Sequence, residues 1–353
     1  MTKGPIAYVA PEAYAFVRKD IEGLRAIGVV VHDHYFNAQR ALELPLAFVS
    51  QLLFLLKAKR HGVRHVVSHF AGYHSMLPAL LGFRTHIIIA GADACSFPGI
   101  RYGSFRKPLM SAAMAYSMRN AETLLPVHES LRGFMNKFSE FGPVEQGYAY
   151  FVKGLKTHEH PLPYGFDATQ WISTNNNASR AGAMCVAMGA SAGNAIHFRK
   201  GIDLIIEAAR SLPNVPFTVI GAAHTESYKG LPTNISIRGR VSHVEMRDLY
   251  HAHSLYLQPS VMEGFPNALC EAMLCGCIPV VSGITSMPSI NGDAGVIITE
   301  RKREALIIAI NALLAADLET TETRRKLARE RILPYSMQRR LDGLLGAIDR
   351  EEP

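Results

Sequence analysis

Two glutamates eight positions apart, Glu263 and Glu271, bracket the run EGFPNALCE. A carboxylate accepts hydrogen bonds from vicinal hydroxyls, and each such charge-assisted bond contributes about 1.5–3 kcal/mol when shielded from water. The pair therefore suits a ligand carrying two diols, one a ribose and the other a hexose. Between the glutamates, Gly264 and Pro266 make a tight turn, and Asn267 is a residue type for the N-cap or first turn of a helix. The amides of Asn267, Ala268 and Leu269 would point out of that helix start, where the macrodipole favours an anion such as a diphosphate. Taken singly, Glu263 reads as a loop surface charge and Glu271 as a solvated helix residue. The apolar neighbours on both sides argue against that in this context.

Other phosphate chemistries are missing. There is no G-x-x-x-x-G-K-[ST] loop, and VAPEAYAF stands where a G-x-G-x-x-G fingerprint would follow the first strand. No two aspartates stand two apart, so a D-x-D metal clasp is absent and a site without metal or cofactor is expected. The five cysteines lack paired C-x2-C spacing and read as reduced, buried thiols of a cytoplasmic chain without a signal peptide. His69 and His74 flank the end of one predicted strand and Asp93 follows the next. They are candidate acceptor-side groups, with a structural role in the wall as the alternative.

The elements that must position these residues alternate along the chain. Strand-type runs fall at 6–9, 29–32, 65–68, 86–89, 124–127, 184–188, 217–220, 236–238, 254–258 and 278–281, separated by helix patterns such as 16–26, 46–59, 202–211, 243–252 and 268–275. Strands alternating with helices predict an α/β chain of parallel sheets covered on both faces. With 353 residues, two domains are expected. The Pro-, Gly- and Asn-rich stretch 162–182 marks a linker, giving domains 1–165 and 166–353 with a ligand cleft between them. The last helix pattern, 337–348, fits either domain.

Charge divides at the same place. Residues 1–165 hold 18 basic against 11 acidic side chains, and 166–353 hold 19 of each. The first half thus faces an anionic partner. Basic runs without interleaved aromatics argue against nucleic acid. The apolar run 44–56 has 13 residues, short of the ~20 that span a bilayer, so no anchor is expected. The helix 46–59 leads into KAKRHGVRH, which reads either as a peripheral contact with anionic lipid or as a buried crossover helix with a solvated basic end.

At Glu263, Gly264, Phe265, Pro266 and Glu271, followed by Ala272, Met273, Gly276, Pro279 and Val280, the chain resembles the retaining GT-B-fold glycosyltransferases of family 4, marked by two glutamates separated by seven residues around a GFP turn. LPYGFD at 162–167, RKGIDLIIEAARSLP at 199–213, FTVIG at 217–221 and RGRVSHVEMRDLY at 238–250 extend the likeness, which continues more weakly through FVRKDIEGL, HFAGYHSMLP and LLPV in the first half. The resemblance implies two Rossmann-like domains and transfer of a sugar, with retention, from a nucleoside-diphosphate sugar to a glycan or lipid-linked acceptor in cell-surface polysaccharide assembly. It implies that Glu271 holds the nucleotide ribose, Glu263 a hydroxyl of the donor sugar, and the amides of Gly264, Phe265, Asn267, Ala268 and Leu269 the sugar and diphosphate. Lys200 is similar to the family lysine that neutralises the leaving diphosphate. Three positions depart from the pattern. Asn194 stands where an arginine is usual, leaving Arg199 as the substitute cation or the loop as rebuilt. Ala90 stands for a histidine that touches the donor sugar, and Ser289 for a glutamate. The alternatives are a sugar-nucleotide epimerase and a non-catalytic nucleotide-sugar-binding subunit.

Overall fold

The structure is a computed structural model that describes residues 4–38, 40–172 and 180–349. Positions 173–179 of the sequence-predicted linker lie outside the described residues.

In the first half, β1 (Ile6–Ala10), β2 (Val31–Tyr35), β3 (His65–His69), β4 (Arg84–Ile89) and β5 (Thr123–Pro126) are joined by α1 (Ala15–Ala26), α2 (Leu44–Arg60), α3 (Tyr73–Leu80) and α4 (Pro108–Arg119). A short antiparallel hairpin, β6 (Phe134–Met135) and β7 (Glu145–Gln146), precedes α5 (Tyr148–Phe151) and β8 (His158–Glu159). The parallel sheet runs β2-β1-β3-β4-β5-β8. Central strands are apolar without a break: every residue of β1 is buried, as are five of the six in β4. That pattern belongs to a sheet covered by helices on both faces.

The second half repeats the plan. β9 (Ala183–Ala190), α6 (Ala195–Arg199), α7 (Ile202–Ser211), β10 (Phe217–Ala222), β11 (Ile235–Arg238), α8 (His243–Ala252), β12 (Leu255–Gln258), α9 (Asn267–Leu274), β13 (Ile278–Ser282), α10 (Met287–Asn291) and β14 (Val296–Ile298) come first, then α11 (Arg303–Leu314), α12 (Leu318–Ile332) and α13 (Met337–Ile348). The parallel sheet runs β11-β10-β9-β12-β13-β14. All ten strands read from sequence fall on one of these strands. Those not foreseen, β6, β7, β8 and β14, are two or three residues long and too short to carry a period.

Several contacts tie the halves together. The exit of β4 lies on the turn that follows β12: a Cβ on Gly264 would stand 2.0 Å from the Ala90 carbonyl oxygen, so only glycine fits. The hairpin of the first half reaches across. Asn136 donates to the Val261 carbonyl at 3.0 Å, Phe138 packs into the core of the second sheet, and the Arg301 guanidinium sits 4.8 Å from the Phe141 ring centre. This reach was not legible in the sequence.

The last helix, α13, lies against α1 of the first half. Its Arg340 is buried and meets Asp20 with two nitrogens, each at 2.6 Å, and donates further to the carbonyls of Leu162 and Pro163. Tyr8 gives its proton to Asp20 (2.9 Å), so toward His69 Nδ1 (2.9 Å) its oxygen must accept. His69, whose imidazole is kept neutral foremost by burial, then carries its proton on Nδ1 and accepts from the Tyr164 hydroxyl at Nε2 (2.9 Å). A chain of ordered hydrogen bonds thus links α13, α1, β1, β3 and the start of the linker.

Helix α2, with the 3-10 turn Ala41–Glu43 before it, makes 20 helical residues, of which the most apolar window of 18 has a mean hydropathy of 1.6, long and apolar enough to cross a membrane by length and composition. The helix is longer than the 13-residue apolar run read from the sequence. Its inner face nevertheless covers the sheet: Leu55 and Ala58 pack with Ala7 and Val9 of β1 and Val66 of β3.

Replacing Arg340 with Ala leaves the buried Asp20 without a cation, and a loss of about 3–5 kcal/mol in unfolding free energy is expected from urea denaturation. The double variant Asp20→Asn, Arg340→Met should recover part of it. A loss below about 1 kcal/mol for Arg340→Ala, the size of a surface pair, would contradict this reading.

A charged turn at the interdomain cleft

Strand β12 delivers the chain to the cleft, and residues 259–266 form the turn before α9. Pro266 occupies the N-cap position and Asn267 begins the helix, so of the two roles open to Asn267 in sequence the structure gives the first-turn one. Thr285 Oγ1 clamps the turn from outside by donating to the Glu263 carbonyl at 2.6 Å.

Behind the turn lies a compact charge cluster. Glu263 is 8% exposed. Its Oε1 receives Lys200 Nζ at 2.8 Å, Arg199 Nη1 at 3.1 Å, and Gln258 Nε2 and Ser260 Oγ at 3.0 Å each. Burial pushes the carboxyl up, but Lys200 and Arg199 prevail and hold it below the usual carboxylate range. Two cations facing one carboxylate leave the turn with net positive charge beside a helix N-terminus. Lys200 reaches this place because Gly201 takes a left-handed φ of +70° and passes so close to β12's exit that a Cβ would stand 2.4 Å from the Pro259 carbonyl oxygen. Arg199 stacks over Tyr102 of the first half at 4.8 Å. Asn194 stays local: it accepts from the His197 amide and donates to the Gly189 carbonyl, each at 2.9 Å, capping α6.

In front of the turn is a cavity of about 360 Å³ between the two sheets. Glu271, Asn267 and Ala268 form one wall, Phe16 and Lys19 of α1 the opposite one, and Arg240 an edge. Burial raises the Glu271 carboxyl to about 7, with Lys19 and the Tyr250 hydroxyl, 3.4 Å away, pulling the other way. Asn267 Oδ1 is buried and has no hydrogen-bond partner among the described residues. The turn thus separates a cationic cluster with Glu263 from a cavity with Glu271. Gly264, Phe265, Pro266 and Leu269 lie between the two as the turn and the first helical residues.

The acceptor-side candidates are placed differently from their expectation. Asp93 is buried and accepts from the amides of Ala71 (3.0 Å), Ala90 (3.0 Å) and Gly91 (2.9 Å), tying the exits of β3 and β4 together. Burial raises it to about 6 against those bonds. His69 belongs to the hydrogen-bonded chain under the cleft, and His74 Nε2 donates to the His69 carbonyl at 2.8 Å. None of the three lines the cleft cavity. The strand ends do face the cleft, but these side chains are enclosed in the layer beneath it and brace the wall. Ser289 binds His128 of the first half at 2.9 Å, bridging the two sides where the family pattern expects a glutamate.

Sequence reasoning missed Lys19, Arg240, Tyr250 and Trp171. Lys19 looks like any charged position on a helix, because only the docking of α1 against the second half turns it toward Glu271. Trp171, the chain's single tryptophan, packs on Tyr250 behind the cavity, and its rarity was the one available signal.

Residues 189–316 match the family described as Glycosyl transferases group 1. Over 129 residues the chain is 26% identical to a subunit of the phosphatidylinositol N-acetylglucosaminyltransferase of Arabidopsis thaliana, covering 33% of this chain and 29% of that one. Over 88 residues it is 38% identical to the alpha-galactosylglucosyldiacylglycerol synthase of Streptococcus pneumoniae (strain ATCC BAA-255 / R6), covering 22% and 24%. These matches span under a third of each relative's length. Among solved structures, the sucrose-phosphate synthase of Thermosynechococcus elongatus superposes over 98% of both chains with a TM-score of 0.73 at 16% identity. Anabaena Alr3699/HepE in complex with UDP and glucose superposes over 98% of this chain and 99% of that one with a TM-score of 0.70 at 13% identity. The two parallel-sheet domains facing across a cleft are therefore the GT-B fold, and the segment 189–316, which holds the charged turn, matches the family described as Glycosyl transferases group 1.

Proposed function

We propose that the chain is a retaining, metal-independent glycosyltransferase of family 4 type that moves a sugar from a nucleoside-diphosphate donor to a hydroxyl of a glycan or lipid-linked acceptor. The observation that carries this reading is the division made by the turn. A cluster of net positive charge lies on one side, a cavity with a buried carboxyl and an unpartnered Asn267 oxygen on the other, and free amides of the helix start lie between. Glu271 receives the ribose diol in the cavity. The amides between Gly264 and Leu269 hold the diphosphate. Among the described residues, the four side-chain contacts of Glu263 fall on Oε1, leaving Oε2 for a hydroxyl of the donor sugar.

As the glycosidic bond breaks, negative charge grows on the leaving diphosphate. Lys200 and Arg199 are already in place, so they stabilise that charge more than the bound substrate and act on rate. The acceptor oxygen bonds to the anomeric carbon on the face the diphosphate leaves, through an oxocarbenium-like state, its proton passing to an oxygen of the departing diphosphate, and no protein nucleophile is required. Closure of the two halves excludes the water that would otherwise hydrolyse the donor. The acceptor must enter from the first half, over the wall braced by Asp93, His69 and His74, which position the backbone of that wall.

Three outcomes are expected. In a thermal-shift screen of UDP-, GDP-, ADP- and dTDP-sugars, with UDP first because the Anabaena neighbour holds it, one nucleotide class should raise the melting temperature selectively; no shift with any of them would count against the reading. With that donor, Glu271→Ala and Lys200→Ala should each lower turnover by at least about tenfold, ~1.4 kcal/mol of barrier, while leaving the fold intact by circular dichroism. Wild-type rates in either variant would overturn the assignment.

The third concerns pH. Only the ionised Glu271 accepts from both ribose hydroxyls, and its carboxyl ionises near 7 in the free protein. The donor association constant should therefore rise with pH up to about that value and level off above it, with an acid limb of at most about tenfold per unit. Glu271→Gln should bind more weakly and lose this limb. Titration calorimetry across that range checks it.

A further inference from the structure

Helix α2 shows its polarity the wrong way round for a helix facing water. Toward the sheet it turns Ala47, Gln51, Leu55 and Ala58, and the one polar residue among them, Gln51, is fully buried with Nε2 donating to the His74 carbonyl at 2.7 Å. Outward it turns Leu42, Leu46, Val49, Leu53 and Leu56, at alternating spacings of four and three, which form one stripe along the helix. Their exposure runs from 90% at Leu42 to 41% at Leu56. The stripe ends in Lys57, Lys59, Arg60 and Arg64, and no acidic residue stands between Glu43 and Asp93. A contiguous exposed apolar stripe of this kind marks an interaction surface.

Two alternatives fit poorly. Spanning a bilayer would strip Ala7 and Val9 of β1 and Val66 of β3 of their cover. Pairing with a second copy would set the four cations at the basic end of one helix against the basic end of the other or, antiparallel, against a single carboxylate, Glu43, with the charge left largely unmatched. A surface that is apolar beneath and anionic on top satisfies both parts. We propose that α2 lies in the headgroup layer of an anionic lipid bilayer, with the leucine stripe inserted and the basic end against lipid phosphates. Because α2 follows β2, it begins on the cleft side of the sheet, the side on which the exit of β4 touches Gly264. Leu42 therefore stands at the cleft end of the helix, and the docked orientation brings that end of the sheet to the lipid surface.

The proposal does not depend on the donor reading and is tested apart from it, by flotation of the full chain with vesicles of phosphatidylcholine and phosphatidylglycerol in equal parts and of phosphatidylcholine alone. The wild type should float with the anionic vesicles and roughly tenfold less with the neutral ones. The triple variant Leu46→Ser, Val49→Ser, Leu53→Ser changes only outward side chains. It should keep the wild-type melting temperature and stay in the dense fraction, and Lys57→Glu, Arg60→Glu should also lose the anionic vesicles. A wild type that does not float, equal flotation on both vesicles, or a triple variant that floats like the wild type would each overturn the proposal. So would a wild-type dimer in light scattering that the triple variant breaks without any flotation, which would assign the stripe to a second copy.

Discussion

One carboxylate oxygen organises the second half of the molecule. Glu263 Oε1 collects two cations, an amide and a hydroxyl from two segments of the chain, 199–200 and 258–260, at distances of 2.8–3.1 Å. Taking one anion out of water with no partner costs several kcal/mol, and two cations on the same oxygen more than offset it, which is why the carboxyl stays ionised although enclosed. The turn cannot relax without breaking this set. Its geometry in turn fixes the start of α9, and so the direction in which the free amides, Asn267 and Glu271 face.

Glu271, eight residues on, has the opposite fate. It is nearly as enclosed, but its nearest cation, Lys19, belongs to the other half and does not ion-pair with it. Its carboxyl therefore rises to about 7 from an ordinary 4.5. The sign of the linked stability follows. The unfolded chain ionises this group above about 4.5 and the folded chain only near 7, so its contribution declines as pH rises through that window and is constant above it. A group that destabilises the empty protein at neutral pH gains when a ligand supplies hydrogen-bond donors, a pattern found at functional sites.

Much of this was legible because it is local. The strand, turn and helix of residues 254–275 follow from Gly264, Pro266 and the periods on either side, and the alternation of strands with helices gives two parallel sheets. What escaped depends on packing between distant segments. Lys19 enters the cavity only because α13 returns to α1 and Arg340 finds Asp20 buried there. His69, His74 and Asp93 look like cleft residues from their place after strands, yet the layer beneath the wall claims their polar atoms. Helix α2 read as a 13-residue apolar run, since composition cannot show that its glutamine faces inward and its leucines outward.

A turn at 263–269 that grips a diphosphate by its main chain is open to a decisive look in a crystal structure with the selected nucleoside diphosphate. Phosphate oxygens are expected within about 3.2 Å of amides between Gly264 and Leu269 and of Lys200 Nζ, with the ribose hydroxyls on Glu271. A nucleotide bound elsewhere, or bound in the cleft with those amides facing only water, would contradict it.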